Sequence, residues 1–301
     1  MRILFMGTAE LACPCLEALT RLPNHEVVGV VTQPDRPKGR DLRPAAPPVK
    51  KVADRLKLPV VQPEKIRDSQ AVATLRDLRP ELIVVVAYGQ LLPRAVLELP
   101  PAGCVNVHAS LLPRWRGAAP IQYAIWHGDR ETGVTTMFLN EQMDAGDIIL
   151  QRAESIGPDD TAATLHDRLA RLGAGLLVET VGLIAAGQPP RIRQDDSRVT
   201  HARKLDKDAG RIDWTRPAVE IERQIRAFDP WPSAYMVYGG KLLKLWKAEV
   251  VPHVGGRPGE VLPGFVVATG AGGLKVLQVQ PAGGRRMAAD DFLRGHPLPA
   301  G

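Results

Sequence analysis

Apolar residues in the first half of the chain fall into short runs that alternate with stretches of helical spacing. Runs of β-branched and apolar residues predict strands, and apolar positions three and four residues apart predict helices. The predicted strands cover residues 2–7, 26–32, 59–62, 81–87, 104–108 and 133–139. The predicted helices cover residues 9–22, 47–58, 69–78, 93–99, 120–127 and 161–187. This alternation predicts a doubly wound α/β domain with a mostly parallel, Rossmann-like sheet.

The pattern changes near residue 205, where short apolar strands separated by glycine and proline replace the strand–helix rhythm. One helix is predicted at 218–228, and five strands are predicted at 235–238, 242–249, 259–263, 265–269 and 274–279. Five short strands in so little sequence are typical of a small β-barrel, including the oligonucleotide-binding (OB-like) type. We therefore predict an α/β domain over residues 1–187, a linker over 188–205 and a β-barrel domain over 206–301.

The predicted strand 104–108 carries two polar residues at its carboxyl end. Side chains alternate along a strand, so Asn106 and His108 share one face. An amide donor beside an imidazole can hold a developing oxyanion and move a proton. Asp144, in the loop 140–147 after a later strand, is a candidate third member that orients His108 and takes a proton. In the alternative interpretation, Asn106 and His108 are polar residues that cap a strand end, and Asp144 lies in a surface turn.

The segment 33–51 is the most basic stretch in the first half, with six basic and two acidic side chains and hence a net charge of +4. A loop this long is unusual in a compact domain and is often functional. It is a candidate for gripping phosphates, and a solvated surface loop is the alternative. Its basic residues are Arg36, Lys38, Arg40, Arg43, Lys50 and Lys51.

Composition excludes several classes of protein. The chain has 301 residues, 45% of them hydrophobic and 24% charged, and a formal net charge of +6, as expected for a globular protein that meets an acidic partner. No apolar run is long enough to cross a membrane and the first strand is too short for a signal peptide, so a cytoplasmic location is expected. Three cysteines argue against a disulfide framework, and Cys13 and Cys15 lack metal-site spacing.

Other familiar site motifs do not fit. Gly7 stands without the two further glycines of a dinucleotide-binding turn. The loop 140–147 does not have the alternating acids of a calcium loop. Ser110 lies outside any Gly-x-Ser-x-Gly turn, so it is not predicted to be a nucleophile.

Together these stretches resemble the methionyl-tRNA formyltransferase family. The matching residues are 106–122, 143–147, 32–40, 226–232 and 292–295, so the resemblance spans nearly the whole chain. The resemblance implies transfer of a formyl group from 10-formyltetrahydrofolate to the α-amino group of methionine on initiator tRNA. It implies the catalytic set Asn106, His108 and Asp144, and no metal.

The resemblance also implies where the two substrates lie. The folate is expected along two segments of the α/β domain, formed by Tyr88, Gly89 and Gln90 and by Ser110, Leu111, Leu112 and Pro113. The tRNA is expected to use the basic loop and the barrel domain, through Arg36, Lys38, Arg40, Arg43, Lys204, Lys207, Arg211, Lys241, Lys244 and Lys247.

Three alternatives remain at this point. A formyltransferase acting on an amino sugar or a purine ribonucleotide needs the same three catalytic residues, as does a formyltetrahydrofolate hydrolase domain. The alternative formyltransferase does not need the basic loop or the barrel. A non-catalytic tRNA-binding module would need no catalytic residues. A monomer that does not bind membranes is expected.

Overall fold

The computed structural model describes residues 1–38 and 43–296, and it leaves the side chains at positions 38 and 43 undescribed. The chain forms two compact units. The first comprises Met1–Gly117, Thr132–Ser155 and His166–His201, and the second comprises Ala118–Glu131, Ile156–Leu165 and Ala202–Gly301. The domain boundaries at residues 187 and 205 stay predictions.

The strands are β1 (Arg2–Gly7), β2 (Glu26–Val31), β3 (Arg36–Lys38), β4 (Arg43–Ala45), β5 (Val60–Val61), β6 (Leu82–Val86), β7 (Cys104–His108), β8 (Arg116–Gly117), β9 (Glu131–Phe138), β10 (Ile148–Ser155), β11 (His201–Ala202), β12 (Ala234–Tyr238), β13 (Lys241–Val251), β14 (Val261–Leu262), β15 (Val266–Ala268), β16 (Gly273–Pro281) and β17 (Met287–Ala288). The helices are α1 (Cys13–Thr20), α2 (Pro48–Arg55), α3 (Ser69–Asp77), α4 (Arg94–Leu97), α5 (Pro120–Trp126), α6 (Ala162–Ala185), α7 (Ala218–Ala227) and α8 (Ala289–Gly295).

The main sheet of the first unit has seven strands in the order β10-β9-β7-β6-β1-β2-β5. The pairs from β7 through β6, β1 and β2 to β5 are parallel, and β9 is antiparallel to β7. All five residues of β6 are buried, which explains its unbroken apolar run, because a parallel strand is covered on both faces. The predicted Rossmann-like, mostly parallel sheet is confirmed.

The strand order indicates which end of the sheet is expected to carry the functional site. Strand β1 lies between β2 and β6, so successive strands are added on both sides of it. Ligands of such sheets bind outside the carboxyl ends of the strands near this reversal. The register pairs Gly7 with Val86 and Val85 with Asn106, so β1, β6 and β7 end beside one another. Asn106 and His108, near the carboxyl end of β7, therefore lie at this edge of the sheet.

The second unit contains an antiparallel sheet in the order β12-β13-β16-β15-β14, with β17 beside β16. Its core joins inward residues of the strands, such as Leu245 and Val267, to Ile221 and Ile225 of α7. The five strands predicted here are confirmed. The short helix α8 was not predicted, and its Phe292 packs in the same core.

No helix in the parts of the chain that the structure describes combines the length and apolar character needed to span a bilayer.

Candidate active site

The structure brings Asn106, His108 and Asp144 together. Asn106 and His108 project from β7, and both reach the Asp144 carboxylate. The amide Nδ2 of Asn106 donates to Oδ1 of Asp144 at 3.4 Å, and Nδ1 of His108 lies 3.7 Å from Oδ2. The side chains of His108 and Asp144 are 7% and 13% exposed, so water screens this group little.

A backbone N–H group holds the Asp144 carboxylate in position. The N–H of Gly117 donates to Oδ2 at 2.8 Å, which is the shortest contact of this carboxylate. Asp144 itself adopts a left-handed backbone conformation with φ of 51°. Aspartate and asparagine tolerate this conformation better than most residues, which suits an acidic residue at this turn.

The His108 ring is oriented by the main chain at Trp115. Nε2 of His108 lies 2.9 Å from the carbonyl oxygen of Trp115. A carbonyl oxygen only accepts hydrogen bonds, so Nε2 carries a hydrogen and donates it. This leaves Nδ1 as the nitrogen that faces Asp144. Trp115 has a φ of 61°, a left-handed conformation that is strained for a bulky residue and that places its carbonyl towards the ring.

Gly146 determines the path of the loop that carries Asp144. A Cβ atom at this position would lie 1.7 Å from the carbonyl oxygen of Phe138 at the end of β9. The neighbouring Asp147 carbonyl accepts a hydrogen bond from the Phe138 N–H at 2.9 Å. The loop therefore lies directly on the backbone of β9, and only glycine permits this approach.

Gln194 is a residue of this site that the sequence analysis missed. It is buried, and its amide donates to the main-chain carbonyls of Asp144 and Gly146. Its Oε1 accepts from the guanidinium of Arg116. Gln194 falls in a polar, arginine-rich stretch that the sequence predicts as linker, so no local pattern distinguishes it. The only feature that distinguishes Gln194 is its burial as a polar residue, and burial is known only from the three-dimensional structure.

The segment from Ser110 to Pro113 is tied down beside the three residues. Thr135 Oγ1 donates to the Ser110 carbonyl, and Gln151 Nε2 donates to the Leu112 carbonyl. The side chains of Ser110 and Leu112 are buried, whereas those of Leu111 and Pro113 are partly exposed. The buried pair shapes this segment from within, and Leu111 and Pro113 are the members whose side chains can meet a ligand.

The segment from Tyr88 to Gln90 can contact a ligand mainly through backbone atoms. Tyr88 packs in the sheet core, and burial raises the pKa of its phenol to about 12. Gln90 binds the backbone of Glu64 and Ile66 through its amide. Gly89 is exposed, with a φ of 92°. Gly89 is thus the open point of this segment.

The predicted tRNA contacts lie in both units. Arg36 is exposed on β3 and forms an ion pair with Glu64 at 2.8 Å. The backbones of Lys38 and Arg43 pair across the β3–β4 hairpin, and Arg40 falls outside the described residues. In the second unit Lys204, Lys207, Arg211, Lys241 and Lys247 are exposed, and Lys244 is half-buried with its ammonium 5.6 Å from the Trp246 ring.

Strand β13 directs two of these lysines to one side. The pairing of β13 with β16 shifts register between Leu245 and Lys247 and again before Ala248. Leu243 and Leu245 are buried before the shift, and Ala248 is buried after it. Lys244 and Lys247 therefore both lie on the outer face of the sheet, although three positions separate them in sequence.

Burial makes the cysteine thiols unreactive. It raises the pKa of Cys15 and Cys104 to about 12, and, with Glu10 and Glu17 nearby, that of Cys13 to about 11. Thiolate is the nucleophile, so at pH 8 we expect native protein to react with iodoacetamide far more slowly than free cysteine, whose pKa is about 8.5. Mass spectrometry of native and urea-unfolded protein measures this, and rapid native labelling of Cys15 would contradict it.

Within the described ranges, no group of three or more His, Cys, Asp or Glu side chains is arranged to hold a metal ion. The donors around Asn106, His108 and Asp144 are amide, imidazole and backbone N–H groups, which suit a carbonyl oxygen and a moving proton.

Comparisons with known proteins agree along the whole chain. The family model described as formyl transferase matches residues 1–181, and the model described as formyl transferase, C-terminal domain, matches residues 204–297. Proteins named methionyl-tRNA formyltransferase match all of this chain. The protein from Symbiobacterium thermophilum is 52% identical over 94% of its own length, and those from Magnetococcus marinus and Pelotomaculum thermopropionicum are 50% and 48% identical over 97% of theirs.

Solved structures share the fold at low sequence identity. The sugar 3N-formyltransferase WlaRD is 18% identical with a TM-score of 0.68, covering 93% of this chain and 97% of its own. HypX from Aquifex aeolicus in complex with tetrahydrofolic acid is 18% identical with a TM-score of 0.63, covering 97% of this chain and 47% of its own. The sequence identity to full-length relatives is about half, far above the identity to these solved structures. The chain therefore belongs to the methionyl-tRNA formyltransferases of the formyl transferase family.

Proposed function

We propose that this protein transfers the formyl group of 10-formyltetrahydrofolate to the α-amino group of methionyl initiator tRNA, using Asn106, His108 and Asp144. The observation that carries the assignment of residues is the meeting of these three polar side chains at the carboxyl end of β7, in a nearly buried group. Full-length relatives that are 48–52% identical carry the tRNA enzyme's name, which favours the tRNA acceptor over the amino-sugar and purine acceptors.

Asp144 is proposed as the group that receives the proton of the attacking amine. An α-amino group has a reference pKa of about 8, so much of it is protonated near pH 7 and must lose a proton before it attacks. Asp144 is held by Gly117 and Asn106, so its carboxylate keeps a fixed position near the reacting atoms. The same proton then passes to the folate nitrogen as the bond from that nitrogen to the formyl carbon breaks.

Asn106 and His108 are proposed to stabilise the oxygen of the formyl group. Attack of the amine on the formyl carbon places negative charge on this oxygen. One hydrogen of the Asn106 amide is directed to Asp144, and the second is free for the oxygen. His108 donates to this oxygen from Nδ1 when its ring carries hydrogens on both nitrogens, because the Nε2 hydrogen is already directed to the Trp115 carbonyl. A preorganised donor of this kind contributes about a hundredfold or more to the rate.

The folate is proposed to lie against the exposed backbone at Gly89 and the side chains of Leu111 and Pro113. Recognition of a pterin requires backbone donors and acceptors at close range, which an exposed glycine allows. These two segments follow β6 and β7, the neighbouring strands whose carboxyl ends meet at this edge of the sheet.

Incubation with 10-formyltetrahydrofolate and initiator tRNA charged with labelled methionine tests the function. The expected product is N-formylmethionyl-tRNA, separated from methionyl-tRNA after mild hydrolysis of the ester. The same tRNA with uncharged 3′ end, and dTDP-linked amino sugars as acceptors, serve as controls. Formylation of the sugar in preference to the tRNA would overturn the proposal.

Lys244 and Lys247 are expected to contact tRNA phosphates from the outer face of β13. Replacing either lysine by alanine should weaken binding of initiator tRNA and lower the slope of log affinity against log salt by about 1, since each phosphate contact releases counterions. Lys65→Ala is the matched control, because it removes the same charge from an exposed position outside the predicted contacts. Filter binding from low to high salt measures the slopes, and equal slopes in all four proteins would contradict the assignment.

We further propose that the protein acts as a monomer in the cytoplasm, where charged tRNA is made and used. Sedimentation at the concentration of the activity assay tests the first point, and a stable dimer there would contradict it.

A further inference from the structure

The segment 194–200 supports both His108 and Asp144 of the candidate active site. Gln194 contacts the loop that carries Asp144, and Thr200 contacts the chain that orients His108. We propose that Gln194 is a positioning residue for formyl transfer and that Thr200 assists it. This inference rests on the proposed function, since it assigns a role in that reaction.

Every hydrogen-bonding position of the Gln194 amide is used. Nε2 donates to the carbonyl of Asp144 at 2.9 Å and to the carbonyl of Gly146 at 2.8 Å. Oε1 accepts from Nε and Nη2 of Arg116 at 3.0 and 2.8 Å. Gln194 is only 6% exposed, so water does not replace these partners. Among natural side chains of this length, only glutamine supplies two donors and an acceptor to this arrangement.

These contacts join the two supports of the Asp144 carboxylate. One support is the loop itself, whose carbonyls bind Nε2 of Gln194. The other is Gly117, whose N–H binds Oδ2 of Asp144 and which directly follows Arg116. Gln194 therefore sets the distance between the loop and β8, and through it the position of the carboxylate relative to Asn106 and His108.

Thr200 extends the same support to His108. Its Oγ1 accepts a hydrogen bond from the Trp115 N–H at 2.9 Å, and its carbonyl accepts one from the Arg116 N–H at 2.9 Å. These bonds hold the left-handed conformation of Trp115, whose carbonyl binds Nε2 of His108. The segment thus supports both members of the His108–Asp144 pair.

Three substitutions test this role. Gln194→Met keeps the length and removes the donors to the loop and the acceptor for Arg116, and Gln194→Glu keeps an acceptor for Arg116 but loses both donors to the loop. Thr200→Val keeps the shape and removes the acceptor for Trp115. Misplacement of a catalytic group by about 1 Å costs up to about 100-fold in rate, so we expect kcat to fall by roughly 10–100-fold with KM for tRNA and for folate within about twofold. Gln188→Ala, at an exposed glutamine six residues before Gln194, should leave kcat unchanged.

The Asp144→Asn background separates positioning from general damage. If Gln194 acts by placing the Asp144 carboxylate, Gln194→Met should lower the single-turnover rate by less than about threefold once that carboxylate is gone, because residues that act as a unit are not additive. A loss of equal size in both backgrounds would overturn the inference, as would a rise in KM without a fall in kcat.

Circular dichroism and thermal melting check that each variant is folded. If Gln194→Met does not fold, Gln194→Glu and Thr200→Val decide by the same two measurements, and full activity in both would overturn the inference. A wild-type chain that does not form formylmethionyl-tRNA would instead refute the proposed function, so the two failures are distinct.

Discussion

Asp144→Asn is expected to lower kcat for formyl transfer by about 100-fold or more while tRNA binding persists, because it removes the proposed proton acceptor. Asparagine suits the left-handed φ of 51° at this position, and its carbonyl oxygen can still accept from the Gly117 N–H. The loop therefore keeps its path, and the change reports on the charge and basicity of the carboxylate. Alanine would add backbone strain at this φ and confuse the two effects.

Asn106→Ala should cause a loss of similar size for a different reason, since it removes a donor to the formyl oxygen.

Asp147→Asn is the matched control for Asp144→Asn. Asp147 lies in the same loop, is 41% exposed and is 3.9 Å from Arg191, so it should keep nearly full activity. Single-turnover rates with excess enzyme and filter binding of tRNA measure the two properties. Normal turnover in Asp144→Asn would remove Asp144 from the reaction.

The α/β fold was predictable wherever burial left a strong local pattern. Strand β6 is buried along its whole length and reads as five successive apolar residues. Strand β10 was not predicted, because only Ile148 and Ile149 are buried and the rest of the strand is mostly exposed and polar. Its place at the edge of the sheet removes the apolar pattern that identifies an inner strand.

The candidate site was predictable in part for the same reason. Asn106 and His108 are two residues apart on a strand, so alternation alone puts them on one face. Asp144 followed from its place after a later strand together with the family resemblance. Gln194 could not be predicted, because its partners are carbonyls 48 and 50 positions away and an Arg116 guanidinium 78 positions away.

The folate-binding segments illustrate a further limit of sequence patterns. A run such as Tyr88 to Gln90 predicts a loop at a strand end but does not say which groups face outwards. In the fold the Tyr88 ring turns into the core and Gln90 turns to the backbone near Glu64, which leaves Gly89 exposed. Side-chain direction in irregular segments depends on tertiary packing, and the sequence carries no period that reveals it.

Gly146→Ala is expected to remove formyl transfer about as fully as Asp144→Asn and also to lower the stability of the fold. The added methyl group would lie 1.7 Å from the Phe138 carbonyl oxygen, and the main chains of Phe138 and Gly146 are both held by hydrogen bonds. The loop must move away from β9, which breaks the Phe138–Asp147 bond and carries Asp144 away from Asn106 and His108. Added atoms that force a backbone shift cost roughly 1–3 kcal/mol of unfolding free energy, occasionally more.

Gly175→Ala is the matched control, and we expect it to change the unfolding free energy in the opposite direction. Gly175 is exposed on α6, and a Cβ there would meet no atom within 4 Å. Alanine in a helix is more stable than glycine by about 0.5–1 kcal/mol, so this variant should be slightly more stable and fully active. Urea unfolding and single-turnover rates measure both variants. Full activity in Gly146→Ala would mean that Asp144 keeps its place without the close approach of the loop to β9, and the account of this loop would then be wrong.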